Sequence, residues 1–359
     1  MSSLTTPPAF PSILRDRSAP EAFFLDVHRH FVEAEERAGQ ESAHYFRAGE
    51  LVFQLRFAGA RMVPFLTPAF EHLRTEPVDD PSLTVCVWDS GSTGVAMPPP
   101  PWSREDFIFR GEIRGYNTDR FRTAYQPGLD ALSLLDREKN LAVYWVRGNK
   151  PEPYREKPLQ TILCWWLAGQ GGQLLHSAGV GTPEGGILLA GQGGSGKSVT
   201  SLACLREGLT FLGDDYVLVR AGPPPLAESL YNSVKINPDQ LPKFPEFADA
   251  VVNRETMNTE KALIFAHRCA PRRCGSCFPI RALCIPRVTG LPETTFRPAP
   301  VERVVTAFCT STLFALPGAG REVYEQVTRL VRHAPCFFLE VGTVLRGIPA
   351  AVLELLSRS

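Results

Sequence analysis

The chain has 359 residues, enough for one large domain or two, and its 44% hydrophobic and 21% charged residues are those of a globular protein. Its 38 Lys and Arg balance its 38 Asp and Glu, so there is no basic excess of the kind a nucleic-acid partner would require. No apolar run approaches the roughly 18 residues of a membrane helix, and residues 1–8 lack the basic and apolar regions of a signal peptide, so no membrane partner is expected and the chain reads as cytoplasmic.

Residues 1–20 carry prolines, Ser and Thr without periodicity and read as a loose tail. Over 21–38, Phe23, Phe24, Val27, Phe31, Val32 and Ala34 recur at helical spacing and predict an amphipathic helix. Residues 51–57 and 83–88 are runs of strand formers, with a short helix between them over 62–73 that Pro64 and Pro68 start or interrupt. Four prolines at 98–101 form an extended surface spacer. From 106 to 147 the pattern predicts an antiparallel meander with strands at 107–113, 120–125, 131–135 and 141–146. Pro151, Pro153 and Pro158 then mark a boundary between an α+β N-terminal region, 21–150, and a second domain, 151–359.

The second domain opens on a buried helix over 159–167, whose Trp165 and Trp166 read as core. Strands at 173–180 and 186–190 follow, joined by the turn Gly181-Thr182-Pro183-Glu184-Gly185. Next comes GQGGSGKS at 191–198, which fits the phosphate-loop pattern G-x-x-x-x-G-K-[ST] at every fixed position. Gly193, Gly194 and Gly196 can take backbone angles closed to other residues, and Val199, Leu202 and Leu205 give the helix that follows an apolar face. Strand, glycine loop and helix N-terminus in this order predict that Gly191, Gln192, Gly193, Gly194, Ser195, Gly196, Lys197, Ser198 and Val199 cradle the phosphates of ATP. Lys197 supplies a charge to the β- and γ-phosphates, and the Ser198 hydroxyl is placed for Mg²⁺.

Residues 209–219 read as an apolar strand that delivers two adjacent acids, Asp214 and Asp215, 17 residues after Lys197. Mg²⁺ takes only one or two carboxylates, and neighbouring strand residues point to opposite faces. The economical division puts Asp215 on the metal and Asp214 on the acceptor hydroxyl as general base. Further on, 261–266, 281–286 and 336–341 are strand-like, and 301–307, 321–331 and 348–356 helix-like.

Of nine cysteines, Cys86, Cys164, Cys204, Cys309 and Cys336 sit in apolar runs and read as small core residues. His267, Cys269, Cys274 and Cys277 have the spacing of a zinc knuckle, although only one CxxC is present; a cysteine-rich loop is the alternative. Leu316-Pro317-Gly318-Ala319-Gly320 is a second glycine-rich loop, and Lys261 and Arg321 are either phosphate partners or solvated charges.

The run His176-Ser177-Ala178-Gly179-Val180, the hairpin, the phosphate loop, a helix ending at Glu207-Gly208 and Phe211-Leu212-Gly213-Asp214-Asp215 together resemble the catalytic half of the HPr serine kinase/phosphorylase family, over about residues 160–220. The resemblance implies an α/β fold whose P-loop core is of the HPr kinase/carboxykinase type with a mixed sheet, similar to ATP-dependent phosphoenolpyruvate carboxykinase. Relatives of this kind include lasso-peptide serine kinases. It further implies ATP and Mg²⁺, transfer to a hydroxyl of a peptide, protein or small molecule with serine foremost, and a His176 close to the acid that acts as base. The catalytic set is then Asp214, His176 and Lys197. Two departures stand out. The family's Glu-x-Arg-Gly metal motif has no clear counterpart at 228–235, where Glu228 is the available substitute, and the signature tied to phosphorylase activity is not recognisable, so only the forward reaction is expected. A nucleotide-binding regulator without catalysis is the competing expectation, and a carboxykinase-like reaction a weaker one.

Overall fold

The computed structural model describes residues 18–39, 41–148, 155–317 and 320–358. Most of the expected tail, Pro151 and Pro153 at the expected boundary, and Gly318-Ala319 lie outside them. The architecture is mixed α/β, with mixed parallel and antiparallel sheets.

The first helix, α1 (Ala19–Ala38), carries Pro20 in its first turn and stops at Gly39, whose left-handed backbone (φ 62°) lets its N–H reach the carbonyls of Glu35 and Glu36. Its apolar face, Phe23, Phe24, Val27, Phe31 and Ala34, is buried. That face packs on a six-stranded sheet made of β1 (Glu41–Ala48), β2 (Leu51–Ala58), β3 (Leu83–Asp89), β4 (Phe121–Gln126), β5 (Ala131–Asp136) and β6 (Leu141–Val146), in the order β1-β2-β3-β6-β5-β4. Two one-turn helices, α2 (Val63–Leu66) and α3 (Ser90–Thr93), lie in the connections. The helix expected at 62–73 is split into α2 and a 3₁₀ turn at Pro68–Leu73, because Pro68 cannot donate the next helical bond. Antiparallel pairing of β4, β5 and β6 matches the expected meander. The strand expected at 107–113 does not form: Arg110 (φ 60°) and Gly111 (φ 81°) are left-handed and reverse the chain there, leaving two isolated bridges, Phe107 with Ile113 and Glu112 with Ala124.

Helix α4 (Gln160–Gly169) leads into the second sheet, which runs β10-β8-β9-β15-β12-β11-β7. Its strands are β7 (Gln173–Leu175), β8 (Ala178–Thr182), β9 (Gly185–Leu189), β10 (Thr210–Gly213), β11 (Val217–Arg220), β12 (Leu226–Ser229) and β15 (Cys277–Val288). A separate pair, β13 (Ser233–Ile236) and β14 (Ala262–Phe265), precedes β15, and β16 (Thr295–Pro298) and β17 (Cys336–Val341) extend the sheet from β15. Helix α5 (Lys197–Arg206) follows the glycine loop, the short α6 (Ala266–Cys269) follows β14, and α7 (Val301–Leu313), α8 (Arg321–His333) and α9 (Gly347–Ser357) complete the chain.

The two sheets share a core. Phe46, Phe53, Phe57 and Phe70 from the N-terminal region belong to the same buried cluster as Trp165, Trp166, Tyr216 and Tyr231. Phe70 meets Tyr231 at 5.3 Å between ring centroids and Phe53 meets Trp166 at 6.2 Å, within the range of favourable aromatic pairs.

Candidate functional site

Strand β9 is fully buried and pairs with β8 and β15. It delivers the chain to residues 191–196, and α5 begins at Lys197. The turn requires its glycines: Gly194 (φ 84°) and Gly196 (φ 100°) are both left-handed, and Gly196 is the residue on which α5 starts. Lys197 is buried and its ammonium folds back over the loop, donating to the Gly191 carbonyl at 2.5 Å and reaching the Gln192 carbonyl at 3.5 Å. Burial lowers the Lys197 ammonium below the usual lysine range, and the charges of Asp214 and Asp215 work against that shift. Val199, the last of the expected loop residues, is half-buried in the first turn of α5 and packs on the core.

Two interruptions in the sheet build the rest of the site. The strand expected at 173–180 breaks at His176-Ser177, and the one expected at 209–219 breaks at Asp214-Asp215-Tyr216. Leu175 pairs with Val217 and Gly179 pairs with Gly213, so the two gaps lie opposite each other. Freed from the strand pattern, the two acids take different partners. Asp214 is 1% exposed, and its Oδ2 accepts from the Ser198 hydroxyl at 2.7 Å while its Oδ1 is buried without a partner. Asp215 is partly exposed, and its Oδ1 lies 3.6 Å from His176 Nε2. His176, which the resemblance places beside the base, therefore meets Asp215 and not Asp214.

The acids also titrate apart. Burial and the charge of Asp215 push the Asp214 carboxyl up to about 6. Burial acts on Asp215 too, but the His176 hydrogen bond and charge, with Lys157 and Lys197, outweigh it and hold Asp215 below the usual carboxylate range. His176 is fixed from the far side by α7: its backbone N–H donates to Thr312 Oγ1 at 3.0 Å, and its Nδ1 lies 3.3 Å from the Ser311 carbonyl. Its ring stacks on Tyr216 at 5.2 Å, and the Lys157 ammonium sits 5.3 Å from the Tyr216 ring centroid on this same group.

A cavity of about 990 Å³ lies beside this arrangement and meets it at Gly191, Gln192, Gly193, His176 and Tyr216, while Lys197, Ser198, Asp214 and Asp215 lie behind its lining. Gly191, Gln192, Gly193 and His176 line its floor, α7 lines one wall, and Arg110, Ser133 and Tyr144 of the N-terminal region line another. Sequence reasoning missed Lys157, Tyr216 and Arg110. Lys157 lies in a proline-rich linker and Arg110 in a stretch that reads as strand, so neither carries a local signal.

Other expected residues are elsewhere. Glu228 is buried and held by Arg220 at 3.0 Å, facing the β1–β2 turn at Gly49 and making no bond to the phosphate loop. Lys261 is exposed, with its charge acting on Lys197. Arg321 is on the surface, paired with Glu325 at 2.6 Å. Leu316 is buried core, and Pro317 lines the cavity. His267, Cys269, Cys274 and Cys277 are not gathered: among the described residues no group of three or more His, Cys, Asp or Glu is arranged to hold a metal. Cys269 and Cys274 point their thiols at the backbone carbonyls of Ala266 and Ala270. The four residues straddle α6, a 3₁₀ turn and the start of β15, which hold them apart.

No family model matches the sequence, and no curated protein matches it. Among solved structures, the Hpr(Ser) kinase/phosphatase from Coxiella burnetii is similar with a TM-score of 0.29 and 10% identity, over 52% of this chain and 95% of that one. A likeness of that size fixes neither a fold family nor an activity.

Proposed function

We propose that the protein is an ATP-dependent kinase that transfers the γ-phosphoryl group to a hydroxyl acceptor. The observation that carries this reading is the separate engagement of the paired acids beneath a phosphate-type loop: Asp214 on Ser198, Asp215 on His176. A nucleotide sensor needs the first contact and has no use for the second.

Ser198 Oγ and the unpartnered, buried Oδ1 of Asp214 form a donor set that fits Mg²⁺, a hard cation that takes oxygen ligands. When bound, Mg²⁺ neutralises charge on the β- and γ-phosphate oxygens. The backbone N–H groups of the loop and the N-terminus of α5 favour the triphosphate, and Lys197 exchanges its carbonyl partners for phosphate oxygens. Asp215, kept ionised by His176, accepts the proton of the acceptor hydroxyl. The acceptor oxygen then bonds to the γ-phosphorus, the bond from that phosphorus to the bridging oxygen breaks with its electron pair going to ADP, and the proton leaves Asp215 for solvent by way of His176. This division reverses the one expected from the sequence, because the metal-side hydroxyl of Ser198 contacts Asp214 and the imidazole contacts Asp215.

The test is incubation with γ-labelled ATP and Mg²⁺ against hydroxyl-bearing peptides and small molecules, with nucleotide binding measured in parallel. Tight ATP binding with no labelled acceptor and no Asp215-dependent turnover would leave a regulator, and the kinase reading would fall.

A further inference from the structure

The cavity above the phosphate loop is charged in one sense. Arg110, Lys157, Arg287 and Arg303 line it, and no Asp or Glu does. These cations lie at two ends. Arg287 belongs to β15, whose Ala282, Leu283 and Cys284 pair with the strand that feeds the phosphate loop, and Pro286 beside it packs against Gly191. Arg303 is in the first turn of α7, eight residues before the Ser311 that contacts His176, or about 12 Å along the helix axis at 1.5 Å per residue. Arg287 thus belongs to the end beside the glycine loop, and Arg303 is set apart from His176 along α7.

Lys157 and Arg110 belong to the other end. The Lys157 ammonium sits over Tyr216, the ring that stacks on His176. Arg110 lines the cavity together with Tyr216, from the N-terminal wall. Its backbone is left-handed (φ 60°), a conformation that costs a non-glycine residue about 1–3 kcal/mol and is retained where the surroundings hold it. Here the next residue, Gly111, presses so closely on the Tyr125 carbonyl that a Cβ would come within 2.3 Å of it, which fixes the turn against β4. Arg110 is thereby held at the cavity from the N-terminal wall.

Resting on the kinase reading above, we infer that the acceptor is a small hydroxylated anion, with its hydroxyl at His176 and Asp215 and its carboxylate or phosphate held between Lys157 and Arg110. Positive charge from Lys157 and Arg110, both on the lining that also carries His176, selects an anionic group within one small molecule's length of the reacting hydroxyl. Ser133 and Tyr144, register partners on β5 and β6, line the cavity together with α7, and its volume of about 990 Å³ is in the range of small-molecule sites.

The full chain, loaded with Mg²⁺ and a non-hydrolysable ATP analogue, is titrated by calorimetry with glycerol, D-glycerate and glycerol 3-phosphate, three compounds that share a hydroxylated three-carbon frame and differ in charge. At least one of the two anions is expected to bind about 10-fold or more tighter than glycerol. Lys157→Met and Arg110→Met should each weaken that binding by about 10-fold while leaving affinity for the analogue within about twofold, which also shows that the variants fold. The two anions separate a carboxylate from a phosphate preference. Equal binding of glycerol, binding of none of the three, or anion binding untouched in both variants overturns the inference while the kinase reading stands. Preferential phosphorylation of a serine peptide over these anions overturns it as well. Failure to bind the analogue at all removes the kinase reading, and the acceptor assignment with it.

Discussion

Replacing Asp214 with Asn separates two properties of its carboxylate: the contact with the Ser198 hydroxyl, and the cost of a buried charge. In the folded chain burial and Asp215 lift this carboxyl from 3.8 to about 6, so between about pH 4 and pH 6 the folded state holds a proton that the unfolded state has lost. Stability therefore falls as pH rises through that window, and above it the full penalty is present. Two units of pKa correspond to roughly 3 kcal/mol. Asp215 is held low and is ionised in both states over the upper part of this window; only near pH 4, where the unfolded chain still holds part of its proton, does it oppose the trend. In Asp214→Asn the penalty is gone, offset by about 1 kcal/mol for an amide N–H placed where Oδ1 has no partner. Without Mg²⁺ the variant should thus be on the order of 2 kcal/mol more stable than wild type at pH 7.5, and no more stable at pH 4. With about 2.1 cal/mol/K of unfolding entropy per residue, that is a rise of about 3 °C in Tm. Adding Mg²⁺ and ATP should reverse the ranking, because wild type gains stability by binding and the variant gains little. Thermal unfolding at both pH values, with and without Mg²⁺ and ATP, checks this. A variant less stable than wild type at pH 7.5 without ligand, or one with the full nucleotide response, would refute the reasoning.

Asp215→Asn should lower kcat by about 100-fold or more with ATP affinity near wild type, read by steady-state kinetics alongside direct nucleotide binding. Lys197→Ala should instead weaken ATP binding itself, measured by calorimetry, since it removes the buried ammonium beside the phosphate positions. His176→Gln removes the main influence that holds Asp215 low, so the base should protonate at higher pH and the acidic limb of the kcat profile should move upward; an unchanged limb would argue that His176 only packs. Phe70→Ala should cost about 3–5 kcal/mol in denaturant unfolding while keeping one transition, because the lost ring lies in a cluster common to both sheets.

The glycine loop was legible because its signal is local: four glycines, a lysine and two serines within eight residues specify backbone shape and charge together. Asp214, Asp215 and His176 were legible as candidates for the same reason, being polar residues set in apolar strand patterns. Their pairing was not. Which acid meets Ser198 and which meets His176 depends on two strands breaking opposite each other, and an apolar run on both sides of a break reads as one continuous strand. The missing strand at 107–113 has a similar cause, since Phe107, Ile108 and Phe109 carry strand propensity and the left-handed Arg110 gives no sign of itself in sequence. Lys157 and Arg110 reach the cavity only through tertiary packing, far from the loop in the chain. The cysteine run shows the opposite case: plausible spacing, with no group of three or more metal-ligand residues gathered there among the described residues.

The contacts of Phe53 with Trp166 and of Phe70 with Tyr231 cross the line where a dissection of the chain would be made. A fragment beginning after residue 150 would uncover Trp166, Tyr216 and Tyr231, each no more than 2% exposed in the whole chain. Large aromatic side chains bury about 150–250 Å² apiece, so the uncovered patch would exceed the few hundred Å² that soluble monomers usually tolerate. Such a fragment would self-associate before it could serve as a minimal catalyst. The N-terminal part is thus no interchangeable cassette: exchanging it wholesale between relatives would forfeit the fold, and any retuning of what enters the cleft has to proceed in place, one wall residue at a time.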